Sequence, residues 1–321
     1  MERDNALQFD QVSKRYGDFT AVDNLSFTVP AGTMFGLLGG NGAGKTTSIR
    51  MILDLVKPSS GHVTVLEQSN ISSIRDRIGY LPEERGLYKN MKVLEIVRYF
   101  AMLKGMDSTK AEKAAQVMLE KYGLAEFSRY KIQALSKGMS QKVQLISTVV
   151  HEPELVILDE PFSGLDPVNQ QVLEQLIRDM ATNGQTIIFS THVMQHAERL
   201  CNHLLLLARG HKVFDGTVTE AKNTLPKTLV IETDDDITSL RNDAAVKDIQ
   251  TVTTDTNSGD NVSGRWEIFL REGAEPQQVL QHCFTENIRL RAFEQRNPSL
   301  HDVFVHLVGG AQREETVEAA A

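Results

Sequence analysis

Apolar and polar residues alternate through LQFDQVSKRY and again through AVDNLSFTV, and the signals Gly17-Asp18 and Pro30-Ala31-Gly32 close the two stretches. Residues 7–35 therefore read as short strands joined by turns. MFGLLG is a continuous apolar run of the buried-strand type. It passes through GNGAGKTT into SIRMILDLV, whose apolar positions have helical spacing. HVTVLEQ and RIGYLP read as further strands. Residues 92–150 read as mostly helical, with three-and-four spacing in VLEIVRYFAMLKG and AEKAAQVMLEKYGL. LVILDEP and TIIFSTH are uninterrupted apolar strands ending in polar residues, with the helix VNQQVLEQLIRDMATNG between them. Strands buried on both faces and alternating with helices predict an α/β sheet with its functional loops at the strand carboxyl ends.

The pattern changes after GHKVFDGTVTEAK. KTLVIET reads as a strand, ITSLRNDA as a short helix, VKDIQTVTTDT as a strand and NSGDNVSG as a polar turn. RWEIFLREG follows as a strand, AEPQQVLQHCFTEN as a helix, IRLRAFEQR as a strand and PSLHDVFVHLVGG as a last helix. The order β-α-β-β-α-β is the ferredoxin-like one, and it gives a small α+β domain. In the last helix Leu300, Val303, Phe304, Leu307 and Val308 form an apolar stripe. The expected division is 1–226 for the larger domain, 227–309 for the smaller, and 310–321 for a mobile tail with little to bury.

Composition narrows the class. A formal charge of −8 over 321 residues argues against a broad basic surface for nucleic acid. The two cysteines, Cys201 and Cys283, have no metal-ligand or redox spacing, which fits a reducing cytoplasm. The charged start MERDNALQFD is not a secretory signal, and no apolar run approaches the roughly 20 residues of a membrane span.

The chemistry begins at Gly39-Gly40-Asn41-Gly42-Ala43-Gly44-Lys45-Thr46, which fits G-x-x-x-x-G-K-S/T between a strand and a helix. Glycines let successive backbone N–H groups turn inward onto phosphate oxygens, and the following helix adds its positive end. Lys45 is then placed to bridge the β- and γ-phosphates, and the Thr46 hydroxyl to ligate Mg²⁺. In LVILDEP an apolar strand delivers Asp159 and Glu160 to the sheet edge, the first as a Mg²⁺ holder and the second to orient and polarise the attacking water. The acidic run Asp234–Asp236 reads as a solvated strand end.

With these motifs in order, followed by LSKGM at 135–139, SGLDP at 163–167 and STH at 190–192, residues 5–222 resemble the ATPase domain of ABC transporters. The resemblance implies a phosphate-loop α/β domain with an antiparallel β subdomain and a helical subdomain, binding ATP with Mg²⁺. It implies that Tyr16 stacks on adenine, Thr47 contacts the α-phosphate, and His192 contacts the γ-phosphate. It implies that Ser136 and Gly138 cap the ATP of an opposite subunit in a head-to-tail homodimer, and that Asp166 couples the two sites. It also implies a separate polytopic membrane permease, a location on the inner face of the cell membrane, and no nucleic-acid partner. Two departures stand out. The family's LSGGQ is LSKGM here, with Lys137 and Met139 replacing Gly and Gln. The family's Mg²⁺-contacting glutamine is Glu83, a carboxylate able to ligate the metal. GYLPEERGLY and NPSLHDVFVHLVGG resemble the sodium-efflux and related exporter branch, which favours export. The rival reading is a soluble ABC ATPase acting on ribosomes or DNA. Such relatives usually carry two halves with a basic linker, or long coiled-coil or zinc insertions, and this chain shows neither.

Overall fold

The computed structural model describes residues 5–84, 86–251, 264–271 and 273–318. It divides into two compact units, Met1–Val218 and Thr219–Ala321.

The first unit opens with β1 (Asn5–Tyr16) and β2 (Phe19–Pro30), paired antiparallel around the Gly17-Asp18 turn. Gly17 has φ +59, a left-handed conformation that glycine adopts without steric cost. β3 (Met34–Leu38) leads through the glycine loop into α1 (Lys45–Ile52). β4 (Ser60–Val65) pairs with β1, which makes a three-stranded sheet of order β2-β1-β4. β4 ends earlier than HVTVLEQ suggests, because Leu66 and Glu67 turn into positive φ.

β5 (Ile78–Leu81) precedes the helical layer of α2 (Val93–Leu103), α3 (Ser108–Lys121) and α4 (Lys137–Val149). Asp107 caps α3 through the N–H groups of Thr109 and Lys110, which would otherwise lack intrahelical partners. β6 (Leu155–Asp159), α5 (Pro167–Thr182), β7 (Thr186–Thr191), α6 (Met194–Leu200), β8 (His203–Ala208) and β9 (His211–Thr217) complete the unit.

The main sheet has the order β5-β6-β7-β3-β8-β9; all its pairs are parallel except β8–β9. Every residue of β3, β6 and β7 is buried, which explains their unbroken apolar runs. Parallel pairing brings the carboxyl ends of β3, β6 and β7 to one edge. The two sheets share a core in which Phe9 meets Phe27 at 4.7 Å and Phe27 stacks on Phe35 at 5.8 Å.

The second unit begins in α7 (Val218–Asn223) and holds β10 (Thr228–Glu232), β11 (Val246–Thr251), β12 (Arg265–Leu270), α8 (Pro276–Thr285), β13 (Ala292–Arg296) and α9 (Leu300–Glu318). Its antiparallel sheet has the order β11-β12-β10-β13, the ferredoxin-like arrangement. The segment expected as a first helix is a single 3₁₀ turn, Thr238–Asn242. Of the expected turn NSGDNVSG only Gly264 lies within the described residues. The backbone of α9 continues to Glu318, and the side chains of the expected tail lie outside the described residues. In the acidic run, Asp234 pairs with Arg291 and Asp235 with Arg289, while Asp236 accepts from Thr238 N–H.

Candidate functional site

The glycine loop, Asp159, Glu160, Glu83, Thr46, Thr47 and His192 line one pocket of about 320 Å³ at the carboxyl edge of the main sheet. Gly39 has φ +155, and a side-chain carbon there would meet the Leu207 carbonyl and Ala43. Only glycine lets β3 turn into the loop at this separation from β8. Gly44 starts α1 at φ +105, with the carbonyl of Ala21 close behind it.

Lys45 is buried at the base of this loop. Its ammonium donates to the carbonyls of Gly39 at 2.7 Å and Gly40 at 3.2 Å, and lies 3.9 Å from Glu160 Oε1. Burial pulls its pKa below the ordinary lysine value, against the opposing pull of Glu160, Asp159 and Glu83. Asp159 shifts the other way. Burial pushes its carboxyl above the usual range, and Glu83 and Glu160 push it further, while the Ser190 hydroxyl and Lys45 oppose them. The pocket thus gathers three carboxylates around one ammonium. Adding ATP would place further negative charge beside them, so a divalent cation is the natural counterweight. Thr46, Asp159 and Glu83 supply a hydroxyl and two carboxylates, hard oxygen donors of the kind Mg²⁺ takes, and the residues present fit that ion. Among the described residues no group of three His, Cys, Asp or Glu side chains forms a closed metal cage, so nucleotide and water would complete the coordination.

Glu160 sits just past the end of β6 at φ +48, a conformation rarely adopted outside glycine. Its N–H is shared between the carbonyl and the hydroxyl oxygen of Ser190, both at 3.2 Å, and the same hydroxyl donates to Asp159. Its Oε1 lies 2.8 Å from His192 Nδ1. Ser190 therefore holds both acids from the neighbouring strand. In the sequence it is the hydroxyl that opens STH at 190–192 after an apolar run, and nothing there shows its reach to β6.

The other expected site residues lie outside this pocket. Ser136 caps α4, its hydroxyl accepting from Met139 N–H at 3.2 Å. Gly138, in the first turn of α4, packs against the Asn169 side chain, which would have to move to admit a larger residue there. Asp166 caps α5, accepting from Asn169 N–H at 3.0 Å. The backbone and side-chain amides of Asn169 hold its carboxyl below the usual carboxylate range. The N-termini of α4 and α5 thus stand side by side through Gly138 and Asn169. Tyr16 is exposed at the hairpin end with the Lys14 ammonium 5.0 Å over its ring. The aromatic side chain lining the pocket is Phe19, three residues on.

Comparison with known proteins agrees with this geometry. Residues 22–163 match the ABC transporter family, and residues 216–308 match the C-terminal domain of DrrA1-3-like ATP-binding proteins. The chain is 40% identical over 304 residues to the uncharacterized ABC transporter ATP-binding protein YhaQ of Bacillus subtilis, covering 94% of this chain and 98% of that one. It is 33% identical over 311 residues to the Nod factor export ATP-binding protein I of Sinorhizobium fredii, covering 95% and 87%. A solved ATP-binding subunit of an ABC transporter superposes with a TM-score of 0.63 at 30% identity, over 68% of this chain and 92% of that one. A phosphate-loop pocket carrying a buried lysine and two strand-end acids, within a chain matched almost end to end by such subunits, identifies this protein as an ATP-binding, ATP-hydrolysing subunit of the ABC transporter family.

Proposed function

We propose that the chain is the motor of an exporter, working as a homodimer on the inner face of the membrane against a separate permease. The observation that carries this reading is the division of the expected site residues into two groups. One lines the phosphate-loop pocket, while Ser136, Gly138 and Asp166 cluster at the α4 and α5 N-termini outside it. A pocket whose γ-phosphate cap is missing from its own wall is completed by a second copy, head to tail. The similarity of this chain to a Nod factor export protein, and of its second unit to DrrA-type C-terminal domains, supports export over import. No helix among the described residues is long and apolar enough to cross a membrane.

In this reading Lys45 leaves the loop carbonyls for the β- and γ-phosphates. Backbone N–H groups from Gly42 to Thr47 surround the phosphates, and an aromatic face at the hairpin, Tyr16 or Phe19, covers the adenine. Thr46, Asp159 and Glu83 hold Mg²⁺, which supplies neutralisation of phosphate charge. Glu160 accepts the proton of the water whose oxygen attacks the γ-phosphorus, as the bond to the β–γ bridging oxygen breaks and ADP leaves. His192 fixes the Glu160 carboxylate and reaches the γ-phosphate from the β7 side.

Two experiments test parts of this reading. If the Glu83 carboxylate ligates the cation, Glu83→Gln shifts the Mg²⁺ concentration giving half-maximal ATPase activity and leaves Mg²⁺-free nucleotide binding nearly unchanged. An unchanged Mg²⁺ titration removes Glu83 from the ligand set. The second concerns residues 227–321, which carry no phosphate-contacting candidate. We propose that this domain tethers the pair while the nucleotide sites open. Leu300 and Val303 of the α9 stripe are fully buried, whereas Phe304, Leu307 and Val308 are only partly covered. Deleting 227–321 should preserve ATP binding and leave the protein monomeric without ATP, where the full chain sediments as a dimer. Identical sedimentation of the two would leave the domain a stabilising role only.

A further inference from the structure

The turn that presents Glu160 continues into Phe162, which is not among the residues lining the nucleotide pocket. It is 5% exposed and stacks on the imidazole of His196, with centroids 4.2 Å apart and planes 20° from parallel. Its edge contact is with Phe189 of β7, at 6.3 Å and 87°. His196, itself 6% exposed, lies in α6, the helix that starts two residues after His192. The imidazole is gripped from the side. Glu174 of α5 lies 3.6 Å from its Nδ1 and 2.6 Å from the Arg199 guanidinium, which in turn lies 3.0 Å from the same Nδ1. Arg178 donates to the Arg199 carbonyl at 2.8 Å, tying α5 to the end of α6.

Two turns have to be held in register for hydrolysis. One leaves β6 with Glu160, and the other leaves β7 with His192; their side chains meet at 2.8 Å. Ser190 fixes the first turn on its amino side through the Glu160 N–H. On its carboxyl side the Gln141 amide of α4 donates to the Pro161 carbonyl at 3.2 Å, and the Phe162 ring one residue on stacks on His196, which ties the turn to α6. Glu160 at φ +48 also needs such support, because a non-glycine residue persists in that region only when its neighbours over-determine it. A flat ring stacked on a flat ring resists tilting in a way that an aliphatic contact of similar volume does not.

We propose that His196 is a positioning residue for ATP hydrolysis: by stacking on Phe162 it locks the Glu160 turn to the His192 turn. The inference rests on the assignment of Glu160 and His192 to the hydrolytic step. Its reach is the chemical step alone, since His196 is not among the residues lining the nucleotide pocket.

The test compares two substitutions in the full-length chain that both fill the site. His196→Phe keeps the stacked ring, and His196→Leu keeps apolar volume without it. Steady-state ATPase kinetics should show kcat of the Phe variant within about twofold of the parent. The Leu variant should fall about tenfold, a partial share of the roughly hundredfold loss that a misplacement of about 1 Å can cause in a positioned reaction. KM should stay within about twofold in both. Phe162→Leu, the same loss made from the other side of the stack, should reproduce the Leu phenotype and serves if His196→Leu does not fold. Equal kcat in the Phe and Leu variants, or a loss that appears in KM, would overturn the proposal. Glu160→Gln measured alongside separates the two levels. If it turns over at the parental rate, the assignment of Glu160 is wrong. If it is inactive while His196→Leu retains parental kcat, only the positioning role falls.

Discussion

Glu160→Gln should bind ATP as the parent does and hydrolyse it about a hundredfold more slowly or worse. The amide keeps the shape of the carboxylate and its place at the end of β6, so the Ser190 contacts to the backbone N–H survive. What is lost is the acceptor for the proton of the attacking water. The charge change even favours the nucleotide, since one of three carboxylates near the phosphates becomes neutral. Binding is checked by titration with a fluorescent ATP analogue. Because the closed pair reopens only after hydrolysis in this account, the dimer peak of the variant should also retain bound ATP through size-exclusion chromatography, where that of the parent does not.

Lys45→Ala should weaken ATP binding by about 10- to 100-fold, the scale of charge-assisted hydrogen bonds to two phosphate groups. Among the described residues lining the pocket, Lys45 is the one lysine or arginine, and it faces Glu83, Asp159 and Glu160. Its removal takes a favourable contact from the nucleotide and removes the ammonium that faces the three carboxylates. The same titration checks this. An affinity within about twofold of the parent would mean that the lysine does not reach the phosphates.

The pattern of apolar runs was enough to place β3, β6 and β7, because a strand buried on both faces in a parallel sheet has no polar face to interrupt it. The phosphate loop and the Asp159-Glu160 pair were legible for a related reason. Their chemistry is written in contiguous residues, so no tertiary information is needed to bring them together. Contacts across strands were not legible. Ser190 reaches Asp159 from 31 positions away through β6–β7 pairing, and Phe162 meets His196 through the return of the chain in α6. The hairpin β8–β9 also escapes the pattern. Its first strand is a short run of leucines indistinguishable from a buried helix segment, and its second, HKVFDGT, alternates only weakly. The turn Thr238–Asn242 looked helical because five residues of helical spacing do not distinguish one 3₁₀ turn from a short α-helix. At the adenine end, motif position points to Tyr16, whereas the pocket wall presents Phe19; hairpin register decides between them, and sequence spacing does not reveal it.

The central claim is that ATP is hydrolysed in the phosphate-loop pocket with Glu160 as proton acceptor. The most direct measurement is phosphate release under single-turnover conditions, with excess protein over Mg·ATP, run for the parent chain and Glu160→Gln side by side. The account predicts release by the parent and a rate lower by about a hundredfold or more in the variant, with nucleotide bound in both. Equal release rates from the two proteins would contradict it.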